Sequence, residues 1–373
     1  MHLTTLTTLA LFLVLVQVQI QATSAKTTIR IRRKSGVVRL PSHSLVAANK
    51  RHGLGLDLPS LVDLVNHGDF LFSARVSVAD QHFDVDLDTG SSDLWLRGPN
   101  CKAWDGSCGS HTPAINTTVD SLKPTGESFS AHYGSGSVAG QVYSGPVSLA
   151  NISTTLKFGV STRERGFKTS PAGLWGLAFP ALNQIEGGNF VDSAGVHSFS
   201  FYFSDSRDKE EGELTVNGMD SSRIQGDLFW VPITSRSYYQ FTPTQGSFRI
   251  NDKVIPIPEG SSAISDTGTS LMLVPNDISD SINAAIGARP FDAPSGLHVI
   301  DCNILKTGPS ILQYVLDAGV AGLCVSGISR IGELGKHGIN YIFGDTFLRA
   351  AYTVHDLVNN RIGFAQSVHH PLP

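Results

Sequence analysis

Residues 88–91 read Asp-Thr-Gly-Ser and residues 266–269 read Asp-Thr-Gly-Thr, each between apolar flanks ("DLDTGSSDLW" and "ISDTGTSLML"). Asp, Gly and a small hydroxyl make a plausible turn by themselves. At average residue usage, one such tetrapeptide arises by chance in about one chain of this size in a hundred. A flanked pair needs another origin, and the matching extends further. Leu174-Trp175-Gly176 follows the first copy and Ile342-Phe343-Gly344 follows the second. The repeat is of domain size, which predicts two similar lobes and not a solenoid. Each lobe presents one Asp loop, and a pseudo-twofold axis can bring both loops to one cleft.

The rest of the chain reads as mainly β. Phe, Gly, Ser, Thr and Val are plentiful, and long Ala/Leu/Glu/Lys stretches are missing. In "FDVDLD", Phe83, Val85 and Leu87 face one way, and Asp84, Asp86 and Asp88 the other. Asp88 thus ends a strand, while Asp84 and Asp86 read as its wet face. "FSAHYGSGSVAGQVYSG" is a hairpin with Gly134-Ser135-Gly136 at its tip, and "FRINDKVIPIP" is another, turning at Asn251-Asp252. "SDSRDKEEGE" (204–213) reads as a charged surface loop, and "NDISDSINAAIGA" (276–288) as one of few helices. Residues 341–365 read as a strand, a Gly bend, a short helical or strand piece, and a hairpin at Asn359-Asn360.

The ends suggest a processed, exported chain. Residues 1–25 hold the apolar run "LALFLVLV", too short to span a bilayer, followed by small residues, which reads as a signal peptide. Residues 26–51 carry eight Lys and Arg and no acid, whereas the remainder carries all 32 acids. On an exported chain this asymmetry reads as an electrostatically docked pro-segment, removable at "NKR" (49–51), and not as a nucleic-acid arm. Residues 52–67 end the pro-segment or begin the mature chain; 68–235 form an N-terminal lobe and 236–373 a C-terminal one. The polar C-terminus "QSVHHPLP" indicates no membrane or lipid anchor. The expected product is a secreted, extracellular monomer.

Four cysteines on a secreted chain read as disulfides, with Cys101–Cys108 and Cys302–Cys324 the economical pairing. They lack the close C-x-x-C spacing of a zinc site, and His369-His370 has no H-E-x-x-H partner, so neither metal nor cofactor is expected. Asn116 and Asn151 begin N-x-[ST] glycosylation patterns.

Two aspartates meeting on a twofold axis share one proton, because like charges ~3 Å apart cannot both ionise. The ionised one takes a proton from water and the protonated one hydrogen-bonds a carbonyl, which is general acid–base catalysis. Gly90 and Gly268 let backbone N–H groups reach the carboxylates, and Ser91 and Thr269 bond the outer oxygens. A retaining glycosidase also uses two carboxylates, but needs them ~5 Å apart and leaves the duplicated frame unexplained.

These residues carry a resemblance. With Asp88-Thr89-Gly90-Ser91-Ser92-Asp93-Leu94-Trp95, Tyr133-Gly134-Ser135-Gly136, Leu174-Trp175-Gly176, Asp266-Thr267-Gly268-Thr269-Ser270 and Ile342-Phe343-Gly344-Asp345, the chain resembles the pepsin-like aspartic proteases, especially secreted fungal ones. The resemblance runs from about residue 68 to 366. It implies a mainly β, bilobal fold with two pseudo-twofold-related lobes and a central cleft for an extended polypeptide. It implies Asp88 and Asp266 as the catalytic pair, Tyr133 as the flap tyrosine and Trp95 as its hydrogen-bond partner. It also implies both disulfides and a basic, cleft-blocking pro-segment. Three departures stand out. Ser135 sits where many fungal members have an Asp that favours basic P1 residues, so apolar P1 is expected. Ala172 replaces a common Asp. The interval between Cys302 and Cys324 is short for the family and does not read as the usual strand hairpin. That predicts an exposed sheet edge in the C-terminal lobe and keeps a non-cleaving binding protein in view.

Overall fold

The computed structural model describes Arg32–Arg33, Gly36–Val37 and residues 59–369, apart from 70, 110–112, 169–170, 206–207, 209, 244–246, 251–252, 292–295, 303–315, 321, 333–334 and 336–337. The signal peptide and most of the basic segment thus lie outside the described residues. Within that segment, Arg32–Arg33 pairs antiparallel with Gly36–Val37.

Thirteen strands hydrogen-bond into one sheet. Its N-terminal-lobe part starts with two hairpins whose two-residue loops the sequence left unmarked. Phe72–Val78 joins Gln81–Asp88 through Ala79-Asp80, with φ of 50° and 62°. Ser137–Leu149 joins Ile152–Arg165 through Ala150-Asn151, with φ of 51° and 65°. Two successive left-handed residues make the turn whose twist matches flanking strands. Lys123–His132 adds outside Ser137–Leu149 to complete the Tyr133 hairpin. The other end of the sheet crosses the 235/236 division: Ala351–Asp356 and Arg361–Ser367, from the end of the chain, lie between Ser198–Tyr202 and Ile224–Pro232.

The repeat seen in the sequence is also a repeat of topology. Gly173–Gly176 runs parallel to the Asp88 strand, with Gly176 opposite Asp88, and antiparallel to Leu94–Lys102. In the C-terminal lobe, Tyr341–Phe343 runs parallel to Ala263–Ser265, the strand before Asp266, and antiparallel to Met272–Val274. Each DTG strand therefore lies beside the strand that ends in its lobe's Gly bend. The apolar-apolar-Gly triplet recurs because both its apolar residues are buried there. Leu174, Trp175, Ile342 and Phe343 all are.

The C-terminal lobe adds a six-stranded sheet, a four-stranded sheet and the hairpin of Ser247–Ile250 with Lys253–Pro256. The expected helix spans Asn276–Ala285 and buries Ile278 and Ile282, one turn apart on a face. The expected loss of a hairpin between the cysteines needs correction. Leu316–Val320 forms a strand that pairs antiparallel with Leu323–Val325, so that edge is covered. Gly322, at φ 77°, supplies the turn, and an irregularity between Asp317 and Val320 hides the strand's alternation. Residues 303–315 of the interval are outside the described residues. Cys302–Cys324 and Cys101–Cys108 are both disulfide-bonded.

The segment 204–213 is not simply a wetted loop. Asp205 and Glu213 are buried, and Glu213 lies in the strand Gly212–Val216. Glu210 pairs with the buried Arg223 at 2.6 Å, and Asp208 lies 2.7 Å from His369 Nδ1. Charged residues there find partners in distant segments, which local composition cannot reveal.

One ion pair supports the base of the Tyr133 hairpin. Arg97 donates to Glu164 (Nη2–Oε2 2.8 Å), both buried, and Ser161 Oγ donates to Glu164 Oε1 at 2.6 Å. Glu164 pairs with Val138 in the hairpin's inner strand. Removing one partner leaves a buried charge uncompensated, so Glu164→Gln is expected to cost about 3 kcal/mol in urea unfolding. A loss under about 1 kcal/mol would show the pair to be dispensable.

Candidate active site

The two DTG loops meet, and their central threonines join them. Thr89 N donates to Thr267 Oγ1 at 2.9 Å, and Thr267 N donates to Thr89 Oγ1 at 3.0 Å. Each hydroxyl then donates across to the other lobe's strand, Thr89 Oγ1 to Ser265 O (2.9 Å) and Thr267 Oγ1 to Leu87 O (2.5 Å). Both threonines are buried. Each threonine thus donates and accepts across the axis, its N–H and hydroxyl both satisfied.

The carboxyls flank this lock. Asp88 accepts from Gly90 N (2.6 Å) and Ser91 Oγ (2.5 Å); Asp266 accepts from Gly268 N (3.0 Å) and Thr269 Oγ1 (2.7 Å). The glycines face the opposite partner. A Cβ on Gly90 would stand 2.6 Å from Asp266 Oδ1, and one on Gly268 would meet Asp88 Oδ1 closer still. Any side chain there pushes the carboxyls apart. Likewise a Cβ on Gly176 would stand 2.5 Å from Ser91 C, so the Gly bend supports the loop from below.

Asp88 is 5 % and Asp266 8 % exposed. Burial raises both above the ordinary carboxylate range. Asp266 is pushed up to about 7, by burial first and by the Asp88 charge next. Hydroxyl and backbone hydrogen bonds partly offset burial at both carboxyls, and the charge of one holds the proton on the other, so the pair shares one proton. The arrangement holds one ionised and one protonated carboxyl in hydrogen-bond contact, able to take a proton and give one at the same point.

The Tyr133 hairpin closes with a two-residue turn, Tyr133 N donating to Gly136 O at 2.8 Å; Gly134 and Ser135 are exposed at its tip. Trp95 Nε1 donates to Tyr133 Oη at 3.0 Å, and Phe167 packs edge-on against both rings. Burial, and then the Asp88 charge, raise the Tyr133 hydroxyl above its ordinary value, so it stays protonated facing the dyad. Asn116 and Asn151 are both exposed, Asn151 in its hairpin turn.

Three further groups lie at this centre with no role in it assigned from the sequence. Tyr238 lies in the turn between Ser235–Arg236 and Tyr239–Phe241, and its hydroxyl is raised by burial and then by the charges of Asp266 and Asp88. Nothing periodic marks it. Asp93 accepts from Gln184 N (2.7 Å) and Ile185 N (3.0 Å), fixing the loop below Trp95. Asp86 does not lie on a wet face: it is half-buried, and its Oδ1 is sealed from water.

The comparisons agree with this geometry. A profile described as eukaryotic aspartyl protease matches residues 72–367. Cathepsin E of Mus musculus is 32% identical over 336 residues, covering 82% of each chain. Cathepsin E-A of Xenopus laevis is 32% identical over 340 residues, 83% of this chain and 82% of its own. Gastricsin of Homo sapiens is 31% identical over 336 residues, 83% of this chain and 84% of its own. These relatives are animal proteins, so kinship with secreted fungal members rests on the sequence motifs alone. The chain belongs to the eukaryotic aspartyl protease family and is an aspartic endopeptidase.

Proposed function

We propose that the protein is a secreted, monomeric endopeptidase, made as a zymogen and active at acid pH, in which Asp88 and Asp266 activate one water. The observation that carries this reading is the mirrored ligation of two buried carboxyls in contact across the threonine lock. An extended polypeptide lies in the cleft beneath Tyr133. The ionised Asp88 takes a proton from the water, whose oxygen bonds to the scissile carbonyl carbon. Asp266 gives its proton to the carbonyl oxygen, forming a neutral gem-diol. The C–N bond then breaks as the amine takes a proton from Asp88, and a diol proton returns to Asp266. The site works without an acyl-enzyme and without a cofactor. The basic segment 26–51 is a pro-segment whose charge complements the acidic remainder of the chain, and acid pH weakens that attraction by neutralising carboxylates.

No helix among the described residues is long and apolar enough to cross a membrane. The exposed, uncharged Ser135 supports an apolar P1 preference. A peptide panel varied at P1 and assayed at pH 3.5 tests the reading. Phe and Leu are expected to exceed Lys by at least about tenfold in kcat/KM, in line with apolar pocket burial. Equal or faster cleavage after Lys contradicts the P1 assignment, and no cleavage of any peptide contradicts the function.

A further inference from the structure

A short loop outside the dyad is built against the Tyr133 hairpin. It runs from Cys101 to Cys108, is closed by their disulfide, and follows the strand Leu94–Lys102 that carries Trp95. Opposite it lies Arg165-Gly166-Phe167, where the strand Ile152–Arg165 ends. Three loop residues hold these three in order. The Arg165 guanidinium lies over the exposed Trp104 ring, 5.5 Å from its centroid. Gly166 N donates to Asp105 Oδ2 at 2.7 Å, and Phe167 N donates to the buried Ser107 Oγ at 2.9 Å. Ser107 N donates to Asp105 Oδ1 at 3.0 Å, which ties both anchors to one carboxyl.

Both anchored residues touch the hairpin. Gly166, left-handed at φ 88°, is pressed against its tip: a Cβ there would run into Ser135 O and stand 2.8 Å from Gly136 Cα. The Phe167 ring lies edge-on, 5.7 Å from the Tyr133 ring and 5.1 Å from the Trp95 ring between centroids. Trp95 in turn donates to Tyr133 Oη. One residue therefore separates Asp105 from the tip's backbone, and two separate it from the Tyr133 ring. An ordinary aspartate is largely protonated at pH 3. The Gly166 N–H first, then the Ser107 hydroxyl and N–H, hold Asp105 down to about 2, so this anchor keeps its charge in acid.

We propose that Asp105 is a positioning residue of the active centre, which through Gly166 and Phe167 holds the Tyr133 hairpin over bound polypeptide. Asp105 touches no reacting atom. Without its carboxyl, Gly166 and Phe167 lose their shared anchor, and Tyr133 and the hairpin tip close less firmly on the chain beneath. That hold is the same in the ground and transition states, so its loss appears in KM and in release rates and not in kcat. The inference rests on the reading of Tyr133 as a cover over the dyad.

The test expresses the whole chain as wild type, Asp105→Ala and Asp105→Asn, and uses the secreted product. At pH 3.5, kcat and KM are measured on one apolar-P1 peptide, alongside the pepstatin dissociation rate and the urea unfolding midpoint. Asp105→Ala is expected to raise KM and the pepstatin dissociation rate about tenfold, with kcat within about threefold. Asp105→Asn keeps one acceptor oxygen for two N–H donors, so both values are expected to rise about threefold. The asparagine variant carries the test if the alanine variant is not secreted. A lowered unfolding midpoint with unchanged KM and pepstatin release would overturn the proposal, because the loop is then structural only. Unchanged values throughout would overturn it as well. Wild-type protein that neither cleaves nor binds pepstatin would sink the dyad reading, and the proposal with it, since the hairpin would have nothing to cover.

Discussion

Asp266→Asn is expected to give a folded protein whose kcat is lowered by at least about a thousandfold. The amide still hydrogen-bonds a carbonyl oxygen but cannot release a proton to it, and acid–base transfer contributes about 10²–10⁴ in rate. Asp88→Asn removes the group that accepts the water's proton and should be as damaging. The double variant should be hardly worse than either single one, because the two carboxyls act as a unit. The fold should gain on its alkaline side. Asp266 binds its proton more tightly folded than unfolded, so its stabilisation is full below the ordinary carboxylate value and drains as pH rises through about 7. Asn has no such dependence, so thermal midpoints of the variant should fall less between pH 4 and 7 than those of the wild type. Retained turnover in either single variant contradicts the mechanism.

His355→Phe is expected to protect the protein in acid. His355 is fully buried, and both ring nitrogens lack partners. Its ring stacks on Phe199 at 4.5 Å and meets Phe201 and Tyr239 edge-on, in the core behind the site. Burial alone lowers its pKa to about 3. The unfolded chain takes up that proton near 6.5, so stability drains as pH falls from 6.5 toward 3. At about 1.4 kcal/mol per unit, the total loss is about 5 kcal/mol. Phe fills the same aromatic cage without a proton site, at a packing cost of about 1 kcal/mol. Unfolding free energies should therefore favour the variant by several kcal/mol at pH 3 and be near neutral or slightly unfavourable at pH 7. Equal pH dependence in both proteins would show that folded His355 takes up its proton near the ordinary histidine value, its charge finding a partner in the core. His355 destabilises the protein toward acid and the Asp88/Asp266 pair toward alkali, which confines it to an intermediate acid range.

Much of the centre was legible because it is built from short contiguous phrases. Both DTG loops, the Tyr133 hairpin, Trp95 and the apolar-apolar-Gly bends are local signals, and the structure brings them to one place. What the sequence hid depends on distant partners. The alternation in "FDVDLD" sends Asp84 and Asp86 to the same face, yet Asp84 is exposed while Asp86 is half-buried with its Oδ1 sealed, close enough to Asp266 and Asp345, from the other half of the chain, for their charges to be felt. His355 follows the same rule, placed by pairing with Phe199 far upstream. The Leu316–Val320 strand was missed for a local reason: its irregular register breaks the two-residue period. The turns at Ala79-Asp80 and Ala150-Asn151 were missed because Ala is an unusual residue at positive φ.

The central claim is that two buried aspartates share one proton and spend it on peptide hydrolysis. The most direct measurement follows cleavage of denatured haemoglobin from pH 2.5 to 7, with and without pepstatin, by protein lacking residues 1–51. The expected result is a bell-shaped profile confined to acid, with its alkaline limb below about 7, abolished by pepstatin. Cleavage that persists with pepstatin, or a folded sample that binds protein and cleaves none at any pH, would contradict it.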